Sequence, residues 1–251
     1  LLTITEAWQE TRLNASMETY LKGYHDPRLP VYAKPATHPS FAGDYKGVRS
    51  GASFSKGTFL DYSKVNFDNN PYVKVMDVAE SFFLRAEGAL YGWNMGGTAK
   101  DFYEIGVRVS FKTHGLGGVE EYLNNNSGTQ IDYVDPINSE NNAKALSTIT
   151  VKWDESAPME EKLERIITQK WIALYPEGQE AWSEFRRTGY PRLWPVVLNY
   201  SDGEVPVGEF IKRIPYASTI RNASINKINE SINQHLGGRD SMFYPIWWDV
   251  D

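Results

Sequence analysis

The 251 residues contain no cysteine, which removes disulfides, thiolate metal sites and a cysteine nucleophile from the chemistry of this chain. Histidine is scarce. His25, His38, His114 and His235 stand far apart, and none has a second ligand type at helical spacing, as paired zinc ligands would. No run approaches the roughly 18 apolar residues of a membrane-spanning helix. The net charge of -6, with scattered Lys and Arg, excludes the clustered basic face of a nucleic-acid binder. "GGTAK" at 96–100 and "GLGG" at 115–118 lack a preceding strand and a Lys-Ser/Thr ending, so no phosphate loop is present and no cofactor is expected. A G-x-S-x-G elbow is also missing. The opening "LLTITEAWQE" has neither an initiator Met nor a basic-then-apolar leader, so the sequence reads as an internal or processed piece of something longer.

What is present is amphipathic helix and an excess of aromatic residues. With 41% hydrophobic residues the chain can bury one substantial core. A helix is expected over 2–22, with Leu13, Met17, Tyr20 and Leu21 at three- and four-residue steps. From 31 to 71 periodicity dissolves into Gly, Ser, Pro and Asn among aromatics, and an irregular segment of that length is often functional. Residues 77–115 read as a helical hairpin: Val78, Phe82, Ala86 and Ala89 share one face, Thr98 and Asp101 have capping-box spacing, and Gly115 closes the second helix. Ala99, Tyr103 and Gly106 match the small-aromatic-small pattern of a tetratricopeptide repeat. A second hairpin is expected at 158–189, its acidic first turn (Glu160, Glu161, Glu164) solvated, and a further helix over 225–236. Short helical patches are expected at "VEEYL" and "NNAKALS", and strands at "TITVKW" (148–153) and "EFIKRIPY" (209–216). The fold class is all-α: tetratricopeptide-like helical hairpins with long irregular loops and minor β, over 1–251 as a single region.

Two chemistries suit such a chain. A helical glycoside hydrolase needs two carboxylates facing one cleft, and Asp154, Glu155, Glu177, Asp240 and Asp249 are the candidates. A binding protein needs flat aromatic faces beside hydrogen-bonding groups. Tyr45, Phe54 and Tyr62, near Lys46 and Arg49 in the irregular segment, fit that need for a sugar or peptide ligand; packing of the segment onto the helices is the competing role. A tetratricopeptide scaffold that binds only protein is the third reading, favoured if 38–66 packs flat.

Read in order, "YHDPRLPVY", "AESFFLRAEGALYGW", "AKDFYEIGVRVSF", "IITQKWIALYPEGQEAWSEFRRTGYPRL", "KRIPYA" and "GGRDSMFYPIWWD" resemble the C-terminal portion of the SusD/RagB family of nutrient-binding outer-membrane lipoproteins. The resemblance implies glycan or peptide capture without cleavage at the outer face of a Gram-negative outer membrane. It implies a SusC-like TonB-dependent transporter as partner, and a membrane link through an N-terminal lipid anchor that these residues do not include. The matching residues, among them Asp26, Arg28, Glu80, Arg85, Glu87, Gln169, Lys170, Arg187, Trp247, Trp248 and Asp249, are implied to be scaffold, with Glu80, Glu87 and Arg85 in one ionic network. "RRTGYPRLWP" at 186–195 reads as a structural corner, with Gly189 and Pro191 ending a helix.

Overall fold

The computed structural model describes residues 10–53, 57–66, 75–247 and 249. The chain forms two compact units, Leu1–Trp194 and Pro195–Asp251. The first unit carries α1 (Ala15–Gly23), α2 (Leu29–Tyr32), α3 (Val78–Leu90), α4 (Ala99–Thr113), α5 (Val119–Leu123), α6 (Met159–Leu174) and α7 (Gly178–Thr188). The second carries α8 (Ser218–Ala223) and α9 (Ile225–His235). Pairing among the described residues outside helices is limited to isolated bridges, so the fold is helical.

The local chemistry of each end explains the helix bounds. Residues 2–9 of the expected first helix lie outside the described residues, and the helix itself starts at Ala15, because Asn14 caps it by accepting from the Ser16 amide at 2.8 Å. Just before it the chain is extended: the Leu13 amide donates to the Ser63 carbonyl and the Val48 amide to the Leu13 carbonyl. At α4 the Thr98–Asp101 capping box forms in both directions. α3 and α4 approach closely because position 106 has no side chain. A Cβ there would stand 2.9 Å from the Phe83 ring, and Phe83 is fully buried.

The core of the first unit runs from Leu13, Tyr20 and Tyr24 through Phe83, Tyr103, Val107 and Phe111 to Ile166, Ile167 and Ile172. Within it lies a polar cluster. Arg28, 0% exposed, donates to Asp26, to the Ser110 and Tyr122 hydroxyls and to Gln169 Oε1 at 2.6–3.0 Å. Burial pulls its pKa down, but Asp26 and the oxygens around it win and raise it. A buried charge with this many partners is tolerated; one with a partner removed is strongly destabilising. A second cluster links α3, α6 and α7. Lys170 Nζ lies 3.7, 3.3 and 3.3 Å from carboxylate oxygens of Glu80, Glu180 and Glu184, and Arg187 makes a bidentate pair with Glu87 at 2.6 and 2.8 Å.

Several expectations need correction. Glu80, Glu87 and Arg85 do not form one network: Arg85 donates instead to the Met95 carbonyl and stacks 3.9 Å from the Phe102 ring centroid. Glu164 is buried, accepting from the Ser147 hydroxyl and Arg192. The patch at 141–147 is helical only as a 3-10 turn, Ser139–Asn141. No strand forms at 148–153, because its backbone groups are taken by side chains and a loop. The Tyr24, Tyr103 and Arg165 side chains donate to the carbonyls of Ile149, Val151 and Thr150, and the Lys152 amide donates to Asn125. At 209–216 the amides of Lys212 and Arg213 share the Met242 carbonyl, and that of Tyr216 goes to Asp240, so no ladder develops.

Candidate ligand-binding site

The irregular segment is held tightly to the first unit. Glu18, buried on α1, accepts from Lys46 Nζ and the Gly47 amide, both at 2.7 Å, while the Lys46 amide donates to Ser63 Oγ. The Tyr133 hydroxyl donates to the Gly47 carbonyl. These bonds give a sequence without periodicity a fixed path, satisfying its backbone one group at a time.

The four residues expected to bind a ligand are placed differently from one another. Phe54 lies outside the described residues. Tyr45 is half-buried against the main core. Arg49 is buried, its guanidinium 5.0 Å from the Trp194 ring centroid. Tyr62 is 1% exposed, and its hydroxyl donates to Asp135 at 2.6 Å. Asp135 also accepts from the Ile137 and Asn138 amides and from Asn141. Burial alone would raise this carboxyl, but the Tyr62 hydrogen bond and the others hold it below the usual aspartate range. Phe41 makes an edge contact with Tyr62 and stacks on His38, with ring centroids 5.1 and 4.7 Å apart. The structure therefore does not gather Tyr45, Arg49 and Tyr62 around one open aromatic face; Arg49 and Tyr62 are tied into the packing.

A concave aromatic site lies instead within the second unit. It is a cavity of about 720 Å³ lined by Arg213, Tyr216, His235, Tyr244, Trp247 and Asp249, with Leu236 and Ile246 among its apolar lining. The lining comes together for local reasons. α9 supplies His235, and Gly237 and Gly238 end that helix. Asp240 then pins the returning chain, accepting from Arg213 Nη1, the Tyr216 amide and Arg221. The Tyr216 hydroxyl shares a 3.2 Å hydrogen bond with Ser231. Trp247 stands 90% exposed at the cavity, whereas the Asp249 side chain is 4% exposed with Lys212 Nζ 3.4 Å away. Asp240 and Asp249 read in the sequence as possible hydrolytic acids; here each carries a cationic partner. Asp154 is held ionised by Ser156, which lowers its pKa, the opposite of what a general acid needs. Among the described residues no cluster of three or more His, Cys, Asp or Glu could hold a metal ion, and no helix is long and apolar enough to cross a membrane. The cavity's aromatic density was visible in "MFYPIWWD", but nothing in one sequence says that Arg213 and α9 close around it.

Comparison with known proteins fits this architecture. The SusD-like family, described as Susd and RagB outer membrane lipoprotein, matches residues 1–249, and the chain belongs to it. A solved chitin-binding SusD homologue from Flavobacterium johnsoniae is 43% identical, with a TM-score of 0.91 over 99% of this chain and 52% of that one. A SusD-like protein from Bacteroides thetaiotaomicron is 39% identical, with a TM-score of 0.90 over 98% of this chain and 52% of that one. A SusD homologue from Bacteroides uniformis is 44% identical, with a TM-score of 0.88 over 95% of this chain and 49% of that one. The chain thus spans about half the length of these solved relatives. No curated protein matches it.

Proposed function

We propose that this SusD-like chain is the C-terminal portion of a surface lipoprotein that captures an oligosaccharide and holds it, uncleaved, for a partner TonB-dependent transporter of the outer membrane. The observation that carries the reading is the 43% identity, across 99% of this chain, to a homologue described as chitin-binding. The ligand class that follows is a neutral polymer of N-acetylated amino sugars. Such a ligand suits a chain whose surface keeps Trp93, Tyr200 and Trp247 exposed, because a pyranose offers an apolar C–H face to an aromatic ring and hydroxyls at its edge. Non-catalytic binding is supported by the carboxylates themselves: Ser156 hydrogen-bonds Asp154 and lowers its pKa, and Asp240 and Asp249 each sit in an ion pair with a cationic side chain.

The test is calorimetric titration of the chain with a hexamer of N-acetylglucosamine, a cellohexaose and a mixed casein peptide, with chromatography of the sugars afterwards. Saturable binding of the amino-sugar hexamer with no shorter products is the expected result. Preferential binding of the peptide, or hydrolysis that disappears when one carboxylate is removed, would replace the reading.

A further inference from the structure

We propose that the cavity of residues 195–251 is a subsite for one neutral N-acylated sugar unit, with Trp247 as its stacking platform and Asp249 as the acceptor for its amide N–H. The inference rests on the glycan reading above and assigns it a place. Size is the first argument: about 720 Å³ falls in the range of pockets that enclose small ligands. Surface chemistry is the second. A lone exposed Trp is ordinary, but Trp247, 90% exposed, adjoins a concavity whose lining includes Tyr244, Pro245 and Ile246. A flat ring at the rim and apolar atoms inside suit a sugar ring and an acyl methyl.

The third argument is the Asp249 carboxylate, a buried acceptor whose hydrogen-bonding capacity is unfilled. The Oδ2 atom of Asp249 is buried and accepts no hydrogen bond among the described residues; Lys212 Nζ, 3.4 Å away, balances its charge. A buried oxygen of this kind gains from any donor that reaches it, and an amide N–H or a sugar hydroxyl is such a donor. Charge decides between ligand classes. The lining holds one cationic side chain, Arg213, and one anionic side chain, Asp249, paired with Asp240 and Lys212 respectively, so the formal charges of the lining balance. An acidic sugar would meet Asp249, and a basic peptide would displace Lys212 from it. The neutral sugar meets neither penalty.

Titration of the 251-residue chain with the N-acetylglucosamine hexamer and with cellohexaose tests the assignment in the wild type, Trp247→Ala, Trp247→Phe and Asp249→Asn. Trp247→Ala is expected to weaken the amino-sugar hexamer by about tenfold, a change of about 1.4 kcal/mol, while Trp247→Phe, which keeps a ring, stays within about threefold of the wild type. Asp249→Asn is expected to erase most of the preference for the acylated sugar over cellohexaose. Should Trp247→Ala also lower the melting temperature, the Asp249→Asn comparison of the two sugars decides. If the wild type binds the amino sugar and all three variants match it, the subsite is wrong and the glycan reading stands. If the wild type binds neither sugar, both fall.

Discussion

In the first unit the largest fully buried side chains include Arg28 and Lys170 alongside Tyr20, Tyr24, Phe83 and Tyr103. Every one of these charges is enclosed by named oxygens. Among the described residues of 195–251, by contrast, the buried apolar side chains are Val205, Ile232 and Leu236, and the Arg213–Asp240 pair does much of the organising. The difference teaches where each kind of specificity resides. Directional, low-dielectric polar clusters fix the start of α2 to α4, α5 and α6, and α6 to α3 and α7, because leaving any of these groups unpaired is costly. A region with few buried apolar groups keeps concavity and exposed aromatic surface, which a ligand can use.

The comparison can be broken most forcefully at Arg28. Replacing it with Ala strands Asp26, Gln169 and Tyr122 in the core; about 3–5 kcal/mol should be lost, seen as a fall of roughly 10 °C in melting temperature. A loss under about 1 kcal/mol would show that the cluster is decorative. Asp240→Ala should cost less, about 2–3 kcal/mol, and should appear as faster amide exchange at Lys212, Arg213 and Tyr216, whose backbone it helps to place.

Tyr62→Phe separates support from binding in the irregular segment. Loss of its hydrogen bond to Asp135 should cost about 1.5–3 kcal/mol at neutral pH, with sugar affinity unchanged. The pH dependence carries a sign. Because the folded Asp135 carboxyl titrates below its unfolded value of about 3.9, its contribution is present above that value and is lost as the pH falls through the folded one. The variant should therefore show a shallower loss of stability between about pH 5 and pH 2. An unchanged acid slope, or a drop in sugar affinity, would return Tyr62 to the ligand face. The smallest effect is expected for Arg187→Ala. Its side chain is 39% exposed, so about 1–2 kcal/mol should be lost, again with sugar affinity intact; the opposite ordering would make the corner at 186–195 a binding element.

Much of the frame was legible in the sequence because helices announce themselves locally. The Thr98–Asp101 box and the stop at Gly189, which adopts a left-handed φ of 70°, each follow from residues within a few positions, whereas the buried face of α3 is turned by one residue from the expected stripe: Ala79, Phe83 and Ala86 are buried and Val78 is 64% exposed. The corner reading of "RRTGYPRLWP" is consistent with Arg187 on Glu87, Arg186 3.8 Å over Trp182 and the Trp194 indole on the Lys144 carbonyl. What periodicity could not supply was partnership across the chain. Arg85 stands between Glu80 and Glu87 in sequence, yet its side chain leaves that face for Phe102 and Met95. "TITVKW" has strand composition, yet Tyr24, just after α1, and Tyr103 of α4 take its carbonyls. Aromatics in an irregular segment look like platforms until a buried carboxylate such as Asp135 claims one of them. The cavity of the second unit was hidden for the same reason, since Arg213, α9 and the final residues meet only after folding.

The central claim is that the chain binds an oligosaccharide without turning it over. The most direct measurement is one calorimetric titration with the N-acetylglucosamine hexamer, followed by overnight incubation and chromatography of the sugar. The account predicts saturable heat and an intact hexamer. Absence of binding, or the appearance of shorter sugars, would contradict it.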